Sequence, residues 1–353
     1  METKNVPHLL IFAPNWVGDA VMALPAIADL RRALPDATID IAARRSIAPL
    51  FALVRGVDDV LVLEERRATE DTIAFVRRRA CDTAILLTNA FQTALIAWRA
   101  GVRERWGYRT DWRGALLTRA IMPPGAALHQ AARYQHLVRA LGFANGTLEP
   151  QLEASPDAKR AGLTLLTSAG WNERSPLVAL APGAAYGSAK RWPAERFAAL
   201  AASLLRDGFV PVLVGGPADA AAGAELLGLS EAEKGPDAAI NLIGQTDLPA
   251  LAGVLAQCRS LVTNDSGAMH FAVALGVAVT AIFGPTDETA TRPLGRAGAR
   301  PPVIVTHDVW CRPCLLRECP LTHRCMRGIS ADAVARTLTQ NDAPGLPHAT
   351  RST

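Results

Sequence analysis

The repeated alternation of β-rich runs with amphipathic runs is the feature that most constrains the fold of this chain. In the first half, the runs "HLLIFAP", "TIDIAAR", "DDVLVLE" and "TAILLT" each precede a stretch with helical spacing of apolar residues. The alternation restarts at "PLVALAPG" and continues through "FVPVLVGG", "AINLIG", "SLVTN" and "AVTAIFG". Strand–helix units with short joints predict parallel sheets covered by helices on both faces. We therefore predict an α/β protein made of two doubly wound, Rossmann-like domains in series.

The domain boundary is predicted from a polar segment between the two series of strands. At 353 residues the chain is about twice the length of a typical domain. The segment 151–175, "QLEASPDAKRAGLTLLTSAGWNERS", is polar and is followed by a proline. We predict a first domain over 1–172 and a second over 173–328. A last helix over about 329–342 is expected to pack back on the first domain, and 343–353 to form a flexible tail.

Composition narrows the classes of partner. No stretch reaches about 18 uninterrupted apolar residues, so no transmembrane helix is expected. The start lacks a basic region followed by a long apolar run, so we expect no signal peptide and a cytoplasmic protein. The net charge of +4 is too small to indicate nucleic acid as a partner.

Arginines are concentrated in residues 96–140, where only Glu104 and Asp111 oppose them. Such a local basic face favours an anionic partner, and a solvated helix surface is the alternative. The arginines of this segment are Arg99, Arg103, Arg105, Arg109, Arg113, Arg119, Arg133 and Arg139.

One cluster of polar residues follows the first strand of each predicted domain. Ligands of open α/β sheets bind beyond the carboxyl ends of the strands, so these positions are candidate site residues. In "APNWVGDAV", Asp19 starts the next helix and is either a first-turn helix acid or a general base. In "APGAAYGSAKRWPAERF", Lys190 is a point charge suited to phosphate or an ordinary surface lysine.

Two further clusters follow later strands of the second domain. Asp219 in "LVGGPADA" is a candidate for ribose hydroxyls or a helix cap. In "VTNDSGAMHFAVALG", the amides of Ser266 and Gly267 would lie at a helix N-terminus, where an anion is favoured. Asp265 would accept from sugar hydroxyls and His270 would donate to a phosphate, which together suit a sugar diphosphate. No G-x-G-x-x-G follows a strand, which argues against a nicotinamide dehydrogenase.

Three of these blocks resemble the ADP-heptose:lipopolysaccharide heptosyltransferases, glycosyltransferase family nine. They are "PNWVGDAVMALPAIADLRRALPDA", "APGAAYGSAKRWPAERF" and "TNDSGAMHFAVALGVAVTAIFGPTDETATRP", and the resemblance runs from about residue 8 to 330. The blocks "RERWGYRTDWRGALL", "ARYQHLV" and "CRPCLLRECPLTHRCM" resemble the branch that adds the second heptose of the inner core. The resemblance implies a GT-B fold with a central cleft, an ADP-heptose donor and inversion at the anomeric carbon. It also implies a heptosyl-Kdo2-lipid A acceptor, a peripheral position on the inner membrane and no required cofactor.

The resemblance assigns roles to residues that match the motifs of the family. Asp19 would be the catalytic base, Lys190 would hold the diphosphate and Asp265 would grip the heptose. The remaining donor-binding positions would be Ser188, Asp219, Thr246, Ser266, Gly267 and His270. The acceptor-binding positions would be Asn15, Trp16, Arg105, Tyr108, Arg109 and Arg133.

Four cysteines form the spacing C-x2-C-x4-C-x5-C. Cys311, Cys314, Cys319 and Cys325 lie near His307 and His323. Four thiols this close together suit tetrahedral zinc, whereas their order does not match the common ferredoxin patterns. We expect packed, reduced thiols, with a structural zinc site as the alternative.

Other functions remain open at this point. A GT-B enzyme could use a different nucleotide sugar, either as a transferase or as an epimerase of UDP-sugars. Asp219 and Thr246 alone do not separate ADP from UDP, so donor preference would distinguish these enzymes. A binding module without catalysis would not need Asp19, Lys190 and Asp265 together.

Overall fold

Two parallel sheets of six strands each make up the framework of the protein. The structure, a computed structural model, describes residues 8–64, 67–230 and 239–340, so the predicted tail 343–353 lies outside the described residues. The strands are β1 (His8–Phe12), β2 (Thr38–Arg44), β3 (Asp59–Leu63), β4 (Thr83–Leu86), β5 (Glu104–Tyr108), β6 (Arg119–Ile121), β7 (Leu177–Ala181), β8 (Val210–Leu213), β9 (Ile240–Asn241), β10 (Cys258–Asn264), β11 (Ala278–Phe283) and β12 (Val303–Thr306).

Helices connect the strands in the alternation that the sequence predicts. The helices are α1 (Val17–Met22), α2 (Leu24–Ala33), α3 (Glu70–Arg78), α4 (Phe91–Arg99), α5 (Gln130–Ala140), α6 (Pro156–Ser168), α7 (Ala194–Arg206), α8 (Ala220–Ser230), α9 (Leu248–Leu255), α10 (Gly267–Ala274), α11 (Glu288–Thr291), α12 (Arg324–Arg327) and α13 (Ala331–Gln340). None of these described helices has the length and apolar character that a membrane span requires.

The strand order is the same in both sheets once each domain is read from its own first strand. The sheets run β3-β2-β1-β4-β5-β6 and β12-β11-β10-β7-β8-β9, and every strand pair is parallel. The chain reverses its direction of travel between β1 and β4, and again between β7 and β10. These are the switch points at which open α/β sheets bind ligands. The prediction of two doubly wound domains is confirmed.

The cores follow from this layering. All residues of β4, β7 and β11 are buried, as expected for strands with helices on both faces. Helix α7 begins after Pro193 and buries Phe197, Leu200 and Leu204. The two leucines lie three and seven positions after Phe197, so all three side chains share one helical face. The apolar runs of the sequence therefore form the central strands of the sheets and the buried faces of the helices.

Helix α6 lies before the predicted domain boundary at residue 172, which stays a prediction, and its main contact is with a helix of the second sheet's layer. Helix α6 packs on α9, and the two helices cross at a pair of glycines. A Cβ atom on Gly162 would lie 2.1 Å from the carbonyl carbon of Gly253, so the contact excludes any side chain there. The segment just before α6 is hydrogen-bonded to both halves of the chain. There the N–H of Leu152 donates to the carbonyl of Ala274 in the second domain (2.9 Å), and that of Glu153 donates to Leu53 in the first (3.0 Å).

The last described helix departs from its prediction. The main contacts of the described part of α13 are with α7 and β11 of the second domain, whereas the first domain was expected. The hydroxyls of Thr280 and Thr337 form a hydrogen bond of 2.9 Å, and the indole N–H of Trp192 donates to the carbonyl of Ile329 (3.0 Å). The apolar face of α13 thus completes the core of its own domain.

Candidate active site

The N-termini of α1 and α10 touch, which brings the two switch points together. A Cβ atom on Gly18 would lie 3.0 Å from Cδ2 of His270, and one on Gly267 would lie 3.2 Å from the backbone nitrogen of Gly18. Two glycines therefore allow a contact between domains that larger residues would prevent. The loop after β1 and the loop after β10 consequently face each other in one cleft.

Lys190 and Asp265 form a buried ion pair at the switch point of the second domain. The Nζ atom of Lys190 lies 2.5 Å from Oδ2 of Asp265, and both side chains are largely buried. The hydroxyl of Thr286, which follows β11, donates to the same Oδ2 (2.7 Å). Among the described residues, no side chain or backbone group donates to Oδ1 of Asp265. That oxygen is therefore available for a hydroxyl of a ligand.

Asn264, the last residue of β10, holds the neighbouring loop after β7 in place. Its amide group donates to the carbonyl of Pro182 (2.8 Å), and its side-chain oxygen accepts from the N–H of Trp192 (3.0 Å). These bonds span the segment that carries Lys190. The sequence reasoning missed both Asn264 and Thr286, although each is a polar residue at or just after the end of a predicted strand.

Asp19 lies half-buried in the first turn of α1. Burial raises the pKa of its carboxyl above the ordinary value for aspartate, and the positive charge of Lys190 partly opposes the shift. Burial, and to a lesser extent the charge of Asp19, raise the pKa of Tyr134, a residue of α5 that the sequence reasoning did not select. A carboxylate with a raised pKa is a stronger proton acceptor, which suits a general base.

His270 is buried one turn into α10 and stays uncharged near neutral pH. Burial lowers its pKa to about 4, although the nearby carboxylate of Asp265 works in the opposite direction. Ser266 occupies the N-cap position but its side chain does not cap the helix, and its hydroxyl lies 3.1 Å from that of Thr263. A capping role for the side chain therefore does not account for Ser266 at this position.

The other predicted donor-binding residues lie along the carboxyl edge of the second sheet. Asp219 follows β8 and accepts from the N–H of Gly216 (3.0 Å), so its carboxylate closes its own loop. Gly183, after β7, leaves the space that this carboxylate occupies. Thr246 is half-buried after β9, and Ser188 is exposed at the start of the 3₁₀ helix Ser188–Lys190. Their roles as ligand contacts stay predictions.

The Arg105 guanidinium is occupied by contacts within its own domain, and its assignment to the acceptor stays a prediction. Its guanidinium donates to three backbone carbonyls, those of Leu116 (2.7 Å), Val102 (2.5 Å) and Arg103 (3.0 Å). Two of these carbonyls precede β5, at the end of the strand opposite to the switch point. Arg105 therefore fastens the turn before β5 to the loop before β6.

The remaining predicted acceptor residues lie nearer to the carboxyl edge of the first sheet. Tyr108 is buried, and its hydroxyl donates to the carbonyl of Arg133 (2.6 Å), so it supports α5. The Arg133 guanidinium lies 5.4 Å from the centroid of the Tyr108 ring. Arg109 is exposed directly after β5. In the loop after β1, Asn15 is half-buried and Trp16 is 57 % exposed.

Much of the predicted basic face is used within the protein. Arg99 pairs with Glu70 (2.5 Å) and Arg103 with Asp82 (2.8 Å). Arg113 is fully buried, where it donates to the carbonyls of Tyr108 and Thr88 and where burial lowers its pKa to about 10. Another of its nitrogens has no partner among the described residues. The number of arginines in a segment therefore overstates the positive charge that a ligand would meet.

The cysteine cluster lies within the described residues, and a structural zinc site among its thiols stays a prediction. In the part of the chain that the structure describes, no three His, Cys, Asp or Glu side chains come together as a metal site would need. Cys325 is buried and the other three thiols are half-buried, without disulfides among the described cysteines. Burial, and to a lesser extent the charges of Cys311, Cys319 and Cys314, raise the pKa of the Cys325 thiol.

Comparison with known proteins agrees with this arrangement. The chain is 32% identical over 303 residues to lipopolysaccharide heptosyltransferase 2 of Salmonella typhimurium, covering 81% of this chain and 85% of that protein. It is 33% identical over 304 residues to lipooligosaccharide heptosyltransferase 2 of Haemophilus ducreyi, covering 82% and 86%.

A solved structure described as Escherichia coli ADP-heptose lps heptosyltransferase II superposes with a TM-score of 0.81 at 29% identity, covering 95% of this chain and 100% of that one. The predicted GT-B fold is thereby confirmed. The model of the family described as glycosyltransferase family 9 (heptosyltransferase) matches residues 73–324. The family match and the identity to these relatives agree with the two switch points that face one cleft. The chain belongs to glycosyltransferase family 9, the heptosyltransferases.

Proposed function

We propose that this glycosyltransferase moves L-glycero-D-manno-heptose from ADP-heptose to heptosyl-Kdo2-lipid A, with inversion at the anomeric carbon. The observation that carries the proposal is the meeting of Asp19, from one switch point, with the Lys190–Asp265 pair from the other. The names of the relatives, lipopolysaccharide and lipooligosaccharide heptosyltransferase 2, support heptose transfer to such an acceptor. The description of the similar Escherichia coli structure as an ADP-heptose heptosyltransferase supports the donor.

The donor would lie along the carboxyl edge of the second sheet. There the diphosphate would meet Lys190 and the amides at the start of α10, with the ribose near Asp219 and the adenine near Thr246. Oδ1 of Asp265 would accept from a heptose hydroxyl, while its other oxygen is held by Lys190 and Thr286. A buried cation and a helix N-terminus stabilise charge as it develops on the leaving diphosphate. His270, being neutral, would donate a hydrogen bond without adding a charge.

Asp19 would remove the proton from the acceptor hydroxyl. As the hydroxyl oxygen forms its bond to the anomeric carbon, the bond from that carbon to the diphosphate oxygen breaks and ADP leaves. The transition state has oxocarbenium character. The proton ends on the Asp19 carboxylate, whose burial makes it a stronger base than an exposed aspartate. These residues supply the base and the stabilising charges, so the proposed step requires no cofactor.

The acceptor would approach the loops at the carboxyl edge of the first sheet. Asn15, Trp16, Arg109 and Arg133 remain the candidate contacts, since Arg105 and Tyr108 bind other parts of the protein. Trp16 is 57 % exposed and Trp112, after β5, is 97 % exposed. Because exposed tryptophans favour the membrane interface, we place the inner-leaflet surface on this side. Cosedimentation with vesicles that contain anionic lipid tests this placement.

The test is transfer from ADP-L-glycero-D-manno-heptose to monoheptosylated Kdo2-lipid A. We expect release of ADP and an acceptor that gains one heptose, both followed by mass spectrometry. The reaction is run with a chelator present and absent, and we expect equal rates. An acceptor without heptose and a UDP-sugar donor serve as controls.

Each contrary result would overturn a different part of the proposal. Extension only of Kdo2-lipid A without heptose would move the enzyme to the first heptose. Activity only with the UDP-sugar would replace the donor, and loss of activity with chelator would show that a metal takes part.

A further inference from the structure

A loop between β12 and α12 is fastened to the segment that carries Lys190. The N–H of Ala189 donates to the carbonyl of Arg317 (3.0 Å), and the hydroxyl of Tyr186 donates to that of Leu315 (3.0 Å). Gly187 lies so close that a Cβ atom on it would be 2.2 Å from the Arg317 carbonyl oxygen. These contacts fix the backbone of Arg317 beside the Lys190 segment.

The side chain of Arg317 lies near the same aromatic ring as Lys190. The Arg317 guanidinium is 5.1 Å from the centroid of the Tyr186 ring, and Nζ of Lys190 is 4.8 Å from it. The two cations are therefore within about 10 Å of each other, close to one Debye length at physiological ionic strength. A single ligand can thus meet both charges.

The two cations differ in how they are neutralised. Lys190 pairs with Asp265 at 2.5 Å, so much of its charge is already balanced. Arg317 is exposed and has no carboxylate partner among the described residues. The Lys190–Asp265 pair carries no net charge that could offset a dianionic diphosphate. Arg317, in contrast, carries a positive charge that can offset it.

We infer that Arg317 binds the diphosphate of the donor nucleotide together with Lys190. This assignment rests on the proposed function and adds a residue that neither the strand-end pattern nor the family resemblance selected. The guanidinium has several N–H donors in a fixed plane, so it matches the phosphate oxygens of a diphosphate. The Tyr186 ring holds the guanidinium by a cation–π contact until the nucleotide arrives.

Titration calorimetry with ADP and with adenosine tests the assignment. We expect Arg317→Gln to weaken ADP binding about tenfold, because one charged hydrogen-bonding group is lost. Adenosine has no phosphate, so its affinity is expected to stay the same. Arg317→Lys keeps the charge and should restore part of the ADP affinity. The variant Arg327→Gln, an exposed arginine on α12, is the matched control and should bind ADP like the wild type.

Three outcomes would overturn the assignment. If the wild type binds ADP and Arg317→Gln binds it equally well, Arg317 does not contact the diphosphate. If Arg317→Gln loses ADP and adenosine alike, or has a lower melting temperature than Arg327→Gln, the residue is structural. If the wild type does not bind ADP, the proposed function fails and this assignment fails with it.

Discussion

The centre of the cleft and the arginine-rich outer strands of the first domain use their charged residues in opposite ways. At the centre, Asp19, Lys190 and Asp265 come from three separate strand ends and act on one another. Around the outer strands, Arg105 and Arg113 come from one short segment, and their guanidinium groups donate hydrogen bonds to backbone carbonyls.

The difference shows which sequence signal is informative about function. A charged side chain in the segment that follows a parallel strand lies near the edge where ligands bind, whatever its neighbours in sequence are. A cluster of like charges along the chain predicts a surface only if each charge stays free, and most arginines here do not. Three predictions test this contrast, in order of decreasing effect on transfer.

Replacing the proposed base has the largest expected effect. Asp19→Asn should lower kcat about 10²- to 10⁴-fold, the usual contribution of a positioned base. In the wild type the rate should fall as pH drops through the raised pKa of Asp19, because the protonated carboxyl cannot accept a proton. The pH–rate profile and single-turnover transfer measure both effects.

Stability provides the control for this variant. The raised pKa means that the folded state disfavours the charged carboxylate, so Asp19 costs stability as pH rises through that pKa. Asp19→Asn should therefore melt no lower than the wild type near neutral pH and should still bind ADP. A lower melting temperature together with lost ADP binding would make Asp19 structural.

The contact between the domains has an intermediate expected effect. Gly18→Ala places a methyl 3.0 Å from Cδ2 of His270, so α1 and α10 must separate slightly. We expect transfer to slow about 10- to 100-fold, because small misplacements of reacting groups are costly. Gly228→Ala, in open space on α8, is the matched control and should leave the rate unchanged. Equal rates for the two variants would show that the contact is not needed for catalysis.

The arginines of the first domain should separate into two classes with the smallest effects on transfer. Arg109→Ala should raise the acceptor KM several-fold and leave the melting temperature unchanged, because the side chain is exposed. Arg113→Ala should lower stability by about 3 kcal/mol, since it leaves a cavity and two carbonyls without their donor. Calorimetry and acceptor titration distinguish the two, and a reversed pattern would contradict the comparison.

The fold was predictable because alternation and strand ends are local signals. The same rule selected Asp19, Lys190 and Asp265, and a stricter use of it would have included Asn264 and Thr286. Tyr134 was not predictable, since the helix that brings it under the electrostatic influence of Asp19 is distant in sequence. The packing of α6 was not predictable for a similar reason, because a polar segment does not show which helix it packs on. Gly162 and Gly253 decide this through a contact that spacing alone does not reveal.

Helix α10 links the active site mechanically to the segment just before α6. Its first residue, Gly267, rests on Gly18 at the cleft, and the carbonyl of its last residue, Ala274, holds the N–H of Leu152. The next amide, that of Glu153, is held by the first domain. If the domains rotate about the segment of Leu152 and Glu153, α10 would move as a rigid body about 12 Å long, at 1.5 Å per residue. A substrate that binds at the N-terminus of α10 would then set the angle between the two domains.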